Sequence, residues 1–412
     1  MDEQFHIEHL PNGVTLLGQS MKDVSSAAVT FAVPAGSAFD PAPLAGAAAV
    51  ISEWIMRGAG DRDTRALNDA LDNLGCQHDA SVVSEFVQLS SAQLGRNLAQ
   101  AMEIFADILL RPRLEAATFI PARSLILQDL QSLDDEPARK AVMMLRERFY
   151  PSPLGRSIYG SVESLESLEA RSLEDYARNA LGPCGTIVAV AGNIDWPAFV
   201  DQAARLLGDW EAPGPAAPAV TAAAAGVTHI ERDSAQMHIT LGHKACPASD
   251  ERFYAAHLAE TVLSGGMSSR LFTHVREERG LAYHVSTHYH SLKGHAGMFT
   301  YAGTVPEKGQ ETLDVTVREL KRIVEGIADD EMHRARTQYK SATVMAGEST
   351  SARAFALAGD WYHLGRLRTL EETIAAIDAV SIEDVLDYVR EFPAADFTVM
   401  TIGPNALDTS AL

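Results

Sequence analysis

The feature that most constrains this chain is a repeat at long range. Ser172-Leu173-Glu174-Asp175 opens an amphipathic stretch that leads into Thr186-Ile187-Val188-Ala189-Val190-Ala191 and then Gly192-Asn193. Ser381-Ile382-Glu383-Asp384 opens a similar stretch that leads into Phe397-Thr398-Val399-Met400-Thr401-Ile402 and then Gly403-Pro404-Asn405. The serines are 209 residues apart and the glycines 211. A serine with acidic residues behind it suits a helix start, because it caps free N–H groups and opposes the helix dipole. A β-branched run closed by glycine suits a central strand. A chain of 412 residues also exceeds one ordinary core, so the repeat implies two duplicated halves, each with its own core.

The division falls near residue 212. Ala212-Pro213-Gly214-Pro215-Ala216-Ala217-Pro218 and the alanine run after it carry no amphipathic pattern, and the prolines favour an extended path. This gives an N-terminal domain over 1–211, a linker over 212–226 and a homologous C-terminal domain over 227–412. Strands are expected at Leu10 to Leu16, where Asn12-Gly13 favours a type I′ hairpin turn, at Ala27 to Val33 and at His238 to Leu241. Helices are expected at Thr64 to Leu74, Arg96 to Leu110 and Gln310 to Ile327. Strand pairs mixed with blocks of helix indicate an α+β class, each domain a largely antiparallel sheet packed with helices.

Composition then excludes whole classes of function. A formal net charge of −21 argues against nucleic acid, whose phosphates require stripes of Lys and Arg. It suits basic or unfolded polypeptides through long-range attraction, and equally suits plain solubility. No apolar run approaches the ~20 residues of a membrane span. Met1-Asp2-Glu3-Gln4 shows no leader, so a cytoplasmic location is expected, or a periplasmic one if a signal peptide was removed. Cys76, Cys184 and Cys246 are odd in number and scattered, which reads as free thiols.

Gly265-Gly266-Met267-Ser268-Ser269-Arg270-Leu271-Phe272, followed by Val275-Arg276-Glu277-Glu278-Arg279-Gly280-Leu281-Ala282-Tyr283, resembles the C-terminal-domain signature of the insulinase, pitrilysin and mitochondrial processing peptidase family. Leu10 to Leu16, Pro153-Leu154-Gly155-Arg156 with Gly160, and Gln236 to Gly242 extend the likeness over nearly the whole chain. The resemblance implies paired homologous α+β domains that, usually with a partner pair, enclose a peptide-degrading chamber. In such enzymes two imidazoles and a carboxylate hold Zn²⁺ and a glutamate takes the proton of its water. The His-x-x-Glu-His pattern places these groups on one helix face.

The matching helix here is Leu44 to Met56. Counted back from Gly58, Ala49 and Glu53 occupy the histidine positions and Ser52 the general-base position. The shifted register places Val50 and Trp54 at the histidines. No histidine occurs between His9 and His78, so neither register supplies an imidazole. The resemblance places Asp129 at the remaining carboxylate ligand and Ala122 at an outer supporting glutamate. A lone carboxylate lacks the ligand count that zinc requires. His257-Leu258-Ala259-Glu260 looks like half a zinc motif, but Thr261 stands where its second histidine would be. His284, His288, His290 and His295 read as a strand pair around Leu292-Lys293-Gly294 with histidines on a polar face.

The substrate-side pair survives. By the same resemblance Arg276 and Tyr283 are the arginine and tyrosine that reach substrate near the zinc, where guanidinium and phenol can stabilise a developing oxyanion. The alternative is that Arg276 pairs with a neighbouring carboxylate and Tyr283 packs in the core. The chain is therefore expected to be a non-catalytic, substrate-binding subunit, inactive alone and without its own metal or other cofactor. It would pair with a zinc-bearing homologue, as a heterodimer or heterotetramer, to cleave peptides. The alternative is a structural or assembly protein of the same fold.

Overall fold

The computed structural model describes residues 4–410 and 412; the acidic start Met1-Asp2-Glu3 lies outside the described residues. The N-terminal half contains strands β1 (Gln4–His9), β2 (Thr15–Ser20), β3 (Ser26–Val33), β4 (Gly58–Ala59), β5 (Arg62–Asp63), β6 (Gln77–Val82), β7 (Val87–Leu94) and β8 (Ile187–Gly192). Its helices are α1 (Ala47–Ile55), α2 (Thr64–Asn73), α3 (Leu98–Leu110), α4 (Ala116–Ser132), α5 (Pro137–Phe149), α6 (Val162–Ser167), α7 (Ala170–Ala180) and α8 (Trp196–Leu207). The C-terminal half contains β9 (Val227–Glu231), β10 (Met237–Lys244), β11 (Ala282–Leu292), β12 (His295–Thr304) and β13 (Thr398–Gly403). With them run α9 (Phe253–Ser264), α10 (Gly309–Arg322), α11 (Asp329–Gly347), α12 (Thr350–Leu364), α13 (Leu370–Ala379) and α14 (Ile382–Glu391).

The repeat is visible strand by strand. One sheet has the order β1-β2-β8-β3-β7-β6 and the other β11-β12-β10-β13-β9. Read from opposite ends they agree, apart from the additional edge strand β1. In each sheet one pair is parallel, β2 with β8 and β9 with β13, and the rest are antiparallel. Ser26–Val33 and Met237–Lys244 lie 211 residues apart, as do Ile187–Gly192 and Thr398–Gly403. These central strands are buried on both faces, which is why they read as continuous apolar or small-residue runs.

The compact units are not two contiguous stretches. One comprises 1–132, 156–219 and 346–367; the other comprises 133–155, 220–345 and 368–412. Thus α12, coded in the C-terminal half, lies on the first sheet, and α5, coded in the N-terminal half, lies on the second. On α12, Ala354, Leu357 and Ala358 form a stripe at i, i+3 and i+4 that packs against Leu17, Ala28, Ala32, Ile187, Ala189 and Ala191. The small strand residues let the helix approach closely. On α5, Ala141 and Leu145 form the matching stripe against Leu292, Phe299, Met400 and Ile402. Gly242 and Gly297 make room for Phe149 at the end of α5: a Cβ at Gly297 would stand 2.6 Å from its ring. The linear boundaries 1–211 and 227–412 follow the two sheets, and the two helices cross them.

Two local expectations are corrected. Only Gly13 of the Asn12-Gly13 pair has positive φ, at 94°, whereas a type I′ turn needs it at both central residues. Pro11 instead presets an ordinary turn closed by Gly13 N–H to Leu10 C=O at 3.0 Å, and Leu10 N–H bonds Val14 C=O at 2.9 Å. Ser381 does cap α14, in a reciprocal capping box with Asp384. Its counterpart Ser172 lies inside α7, which begins two residues earlier, at Ala170.

Each half expressed alone lacks the helix that covers its sheet. We expect a chain ending at Pro218 to leave Leu17, Phe86 and Ile187 uncovered and to aggregate, and co-expression of both halves to restore a soluble complex. A sharp thermal transition from either half alone as a monomer would contradict this.

Candidate functional site

Helix α1 is built on a buried carboxylate. Gly46, at φ +90°, turns the chain into the helix. Its N–H and that of Ala48 donate to Asp40, at 3.0 Å and 3.1 Å. Arg156 Nη1 donates to the Asp40 backbone carbonyl at 2.6 Å, and Tyr176 Oη to the Phe39 carbonyl at 3.2 Å. Burial raises the Asp40 carboxyl to about 7, against the lowering pull of the two amides and Arg156. Sequence reading missed this clamp, since an aspartate seven residues before a helix carries no local signal.

The motif positions on α1 are already satisfied by the helix itself. Ala49 presents a buried methyl. Ser52 Oγ donates to the Ala49 carbonyl at 2.9 Å. Glu53 pairs with Arg57 at 2.6 Å, one turn on. In the other register Val50 is buried, and Trp54 donates its indole N–H to Glu115 C=O and Thr118 Oγ1 while its ring meets Phe119 at a tilt. Asp129 lies half-buried on α4, which packs against α1, and Ala122 is buried on the same helix. The structure therefore brings the Asp129 helix to α1, where the donor set amounts to two carboxylates and no imidazole. This set does not fit zinc, which takes at least three protein ligands with imidazole or thiolate among them. Among the described residues no group of three or more His, Cys, Asp or Glu could hold a metal ion.

The other histidines have separate partners. His284 lies against the Tyr301 ring in a tilted contact, His290 Nδ1 bonds Tyr150 Oη at 2.8 Å, and His288 approaches Glu260.

Arg276 and Tyr283 lie in the second unit. Residues Phe272–Glu277 form a π-helical turn, a widened geometry that recurs at functional sites. It is fixed on both sides. Arg270, nearly buried, forks onto Glu331 with two bonds of 2.7 Å and reaches the Gly326 carbonyl. Beyond the turn, Leu281 N–H closes onto Val275 C=O at 2.9 Å. Arg276 is exposed, with its guanidinium over the Phe272 ring at 4.9 Å, and forms no ion pair among the described residues. Tyr283, next to the irregular start of β11, is 66% exposed. Neither side chain is taken up by a carboxylate or the core.

Comparison with known proteins bears on the whole chain. Residues 15–162 match the insulinase (peptidase family M16) pattern and residues 167–339 the peptidase M16 inactive domain. An uncharacterized zinc protease of Streptomyces coelicolor is 30% identical over 407 residues, covering 96% of this chain and 88% of that protein. One of Bacillus subtilis is 28% identical over 404 residues, covering 96% and 97%. In fold, the chain resembles a peptidase M16 inactive domain from Pseudomonas fluorescens, with TM-score 0.88, 19% identity and coverage of 98% and 99%. A protease from Helicobacter pylori also gives TM-score 0.88, at 17% identity and coverage of 97% and 99%.

Asp40 gives the α1 clamp a measurable pH signature. A folded pKa above the unfolded one means the native state binds the extra proton, so stability falls as pH rises between them. We expect the wild type to lose ~1–3 kcal/mol relative to Asp40→Asn between pH 5 and pH 8, read as diverging urea midpoints. Parallel midpoints across that range would show that burial does not perturb Asp40.

Proposed function

Because the chain belongs to the M16 peptidase family, we propose that it is a non-catalytic, substrate-binding subunit paired with a zinc-bearing homologue. The observation that carries the proposal is α1: Ala49, Ser52 and Glu53 stand where a zinc peptidase needs two imidazoles and a base. The nearby Asp129 adds only a second carboxylate. In this reading the metal and its activated water belong to the partner.

What this chain supplies is the peptide side. Arg276 carries a charged planar donor group and Tyr283 a phenolic O–H, both held outward on an element braced by Arg270 and Glu331. In water such donors gain little, but aimed at a peptide carbonyl in a closed site they stabilise the charge that develops as the carbonyl is attacked. The chain's acidity favours basic or unfolded polypeptides over nucleic acid. Among the described residues no helix is long and apolar enough to cross a membrane.

Purified alone, the chain is expected to carry no stoichiometric zinc and to cleave no unstructured peptide. Stoichiometric zinc with chelator-sensitive cleavage would overturn this. Added to a zinc-bearing homologue, it should raise turnover. Tyr283→Phe should leave complex formation intact and lower turnover, by roughly 100-fold if its donor serves the oxyanion. Arg276→Ala should also leave the fold intact, because the guanidinium is exposed and forms no ion pair among the described residues. If both variant complexes turn over peptide at the unmodified rate, the chain acts as an assembly protein instead.

A further inference from the structure

The outer edge of the second sheet is β11, and an edge strand turns alternate N–H groups away from its neighbour. On β11 the groups of Thr287 and Tyr289 face outward, and both meet an oxygen-bearing side chain of α9. Thr287 N–H donates to Ser264 Oγ at 3.0 Å, and the Tyr289 backbone N–H helps to stabilise the Glu260 carboxylate. Both acceptors belong to α9 and stand four residues apart, hence on one face. They match the two-residue spacing of the outward amides on the strand.

Glu260 is held firmly in this position. His257, one turn back, bonds its Oε2 through Nδ1 at 2.9 Å, and His288 Nδ1 lies 3.6 Å from Oε1. The His257 ring is set between Tyr289 and Tyr339, with centroids 4.6 Å and 5.2 Å away. Burial acts to raise the Glu260 carboxyl, yet the two imidazoles and the Tyr289 amide bring it down to about 2. The half-motif His257-Leu258-Ala259-Glu260 thus stands against a strand edge.

The first sheet differs at the corresponding place. Its edge strand is β6, and α1 is the helix packed against it. The hydroxyl and carboxylate that α1 carries, Ser52 and Glu53, are both bonded within their own helix and its last turn. Among the described residues, no α1 side chain bonds the β6 backbone.

We infer that Ser264 and Glu260 close the β11 edge to strand addition, so that the second sheet excludes an extended polypeptide that its strand order would otherwise accept. An added strand draws its affinity from main-chain bonds to outward donors. The Thr287 donor is already engaged and the Tyr289 donor faces a held carboxylate, so a peptide carbonyl would have to displace both side chains to reach them.

Amide exchange in the full chain, resolved residue by residue, tests this. Ser264→Ala should speed exchange at Thr287 alone, and Glu260→Ala at Tyr289 alone, each roughly 5- to 10-fold, with β12 amides unchanged. Glu260→Gln keeps an acceptor oxygen and should leave Tyr289 protected. The double alanine variant should bind a dye-labelled, unstructured Val/Thr-rich peptide of about ten residues, seen as raised anisotropy, and the peptide should restore protection at both amides. If the double variant loses β12 protection, the peptide is titrated against each single variant instead. Unchanged exchange at Thr287 and Tyr289, or fast exchange with no bound peptide, would overturn the inference.

Discussion

The structure depends on two short apolar stripes that lie far in sequence from the sheets they cover. An open sheet face of Leu, Ile and Ala residues is stable in water only when something apolar is laid across it. Here that cover comes from Ala354, Leu357 and Ala358 on one sheet and Ala141 and Leu145 on the other. Each stripe is coded in the opposite half. Removing either helix would uncover several residues that are now fully buried, each worth ~1.5–3 kcal/mol, against a domain stability of only ~5–15 kcal/mol. Neither sheet can therefore be a complete folding unit on its own sequence, although each has the strand order of one.

The two helices beside the sheet edges carry different polar groups. α1 and α9 pack against the edge strands β6 and β11, and each keeps only a few polar positions beside its buried ones. On α1 the polar residues face inward to their own helix, and Asp40 anchors its first turn. On α9 the polar residues reach across to a strand. One scaffold thus holds two helices whose side chains perform different tasks, while Arg270, Glu331 and the π-helical turn keep Arg276 and Tyr283 presented.

Much of this was legible in the sequence. The 211-residue offset appears in the chain as Gly192 and Gly403 and returns as two superimposable strand orders. The absence of imidazoles from α1 needed no alignment, because no histidine lies between His9 and His78. The exposure of Arg276 and Tyr283 was not legible, since arginine and tyrosine serve surface and core alike. Nor was the helix exchange: the spacing of Ala141 and Leu145 says that one face is buried, but not against which sheet. Asn12-Gly13 misled for a simple reason, because Pro11 before the pair fixes the turn that the pair alone would have chosen differently.

His257 and Glu260 show how one spacing can serve more than one chemistry. Residues three apart on a helix share a face, so an imidazole and a carboxylate at that spacing do converge. What they converge on depends on the next group to arrive. A second imidazole from the same helix would favour a metal, but Thr261 closes that route by bonding its hydroxyl back to the His257 carbonyl at 2.7 Å. The next group is instead the edge of β11, which brings outward amides and His288. A carboxylate is a strong acceptor for backbone N–H, and burial against Tyr289 and Tyr339 strengthens the bond. The same pair of side chains that would be half a zinc site on an open helix therefore stands against a strand edge, with His288 as its third group.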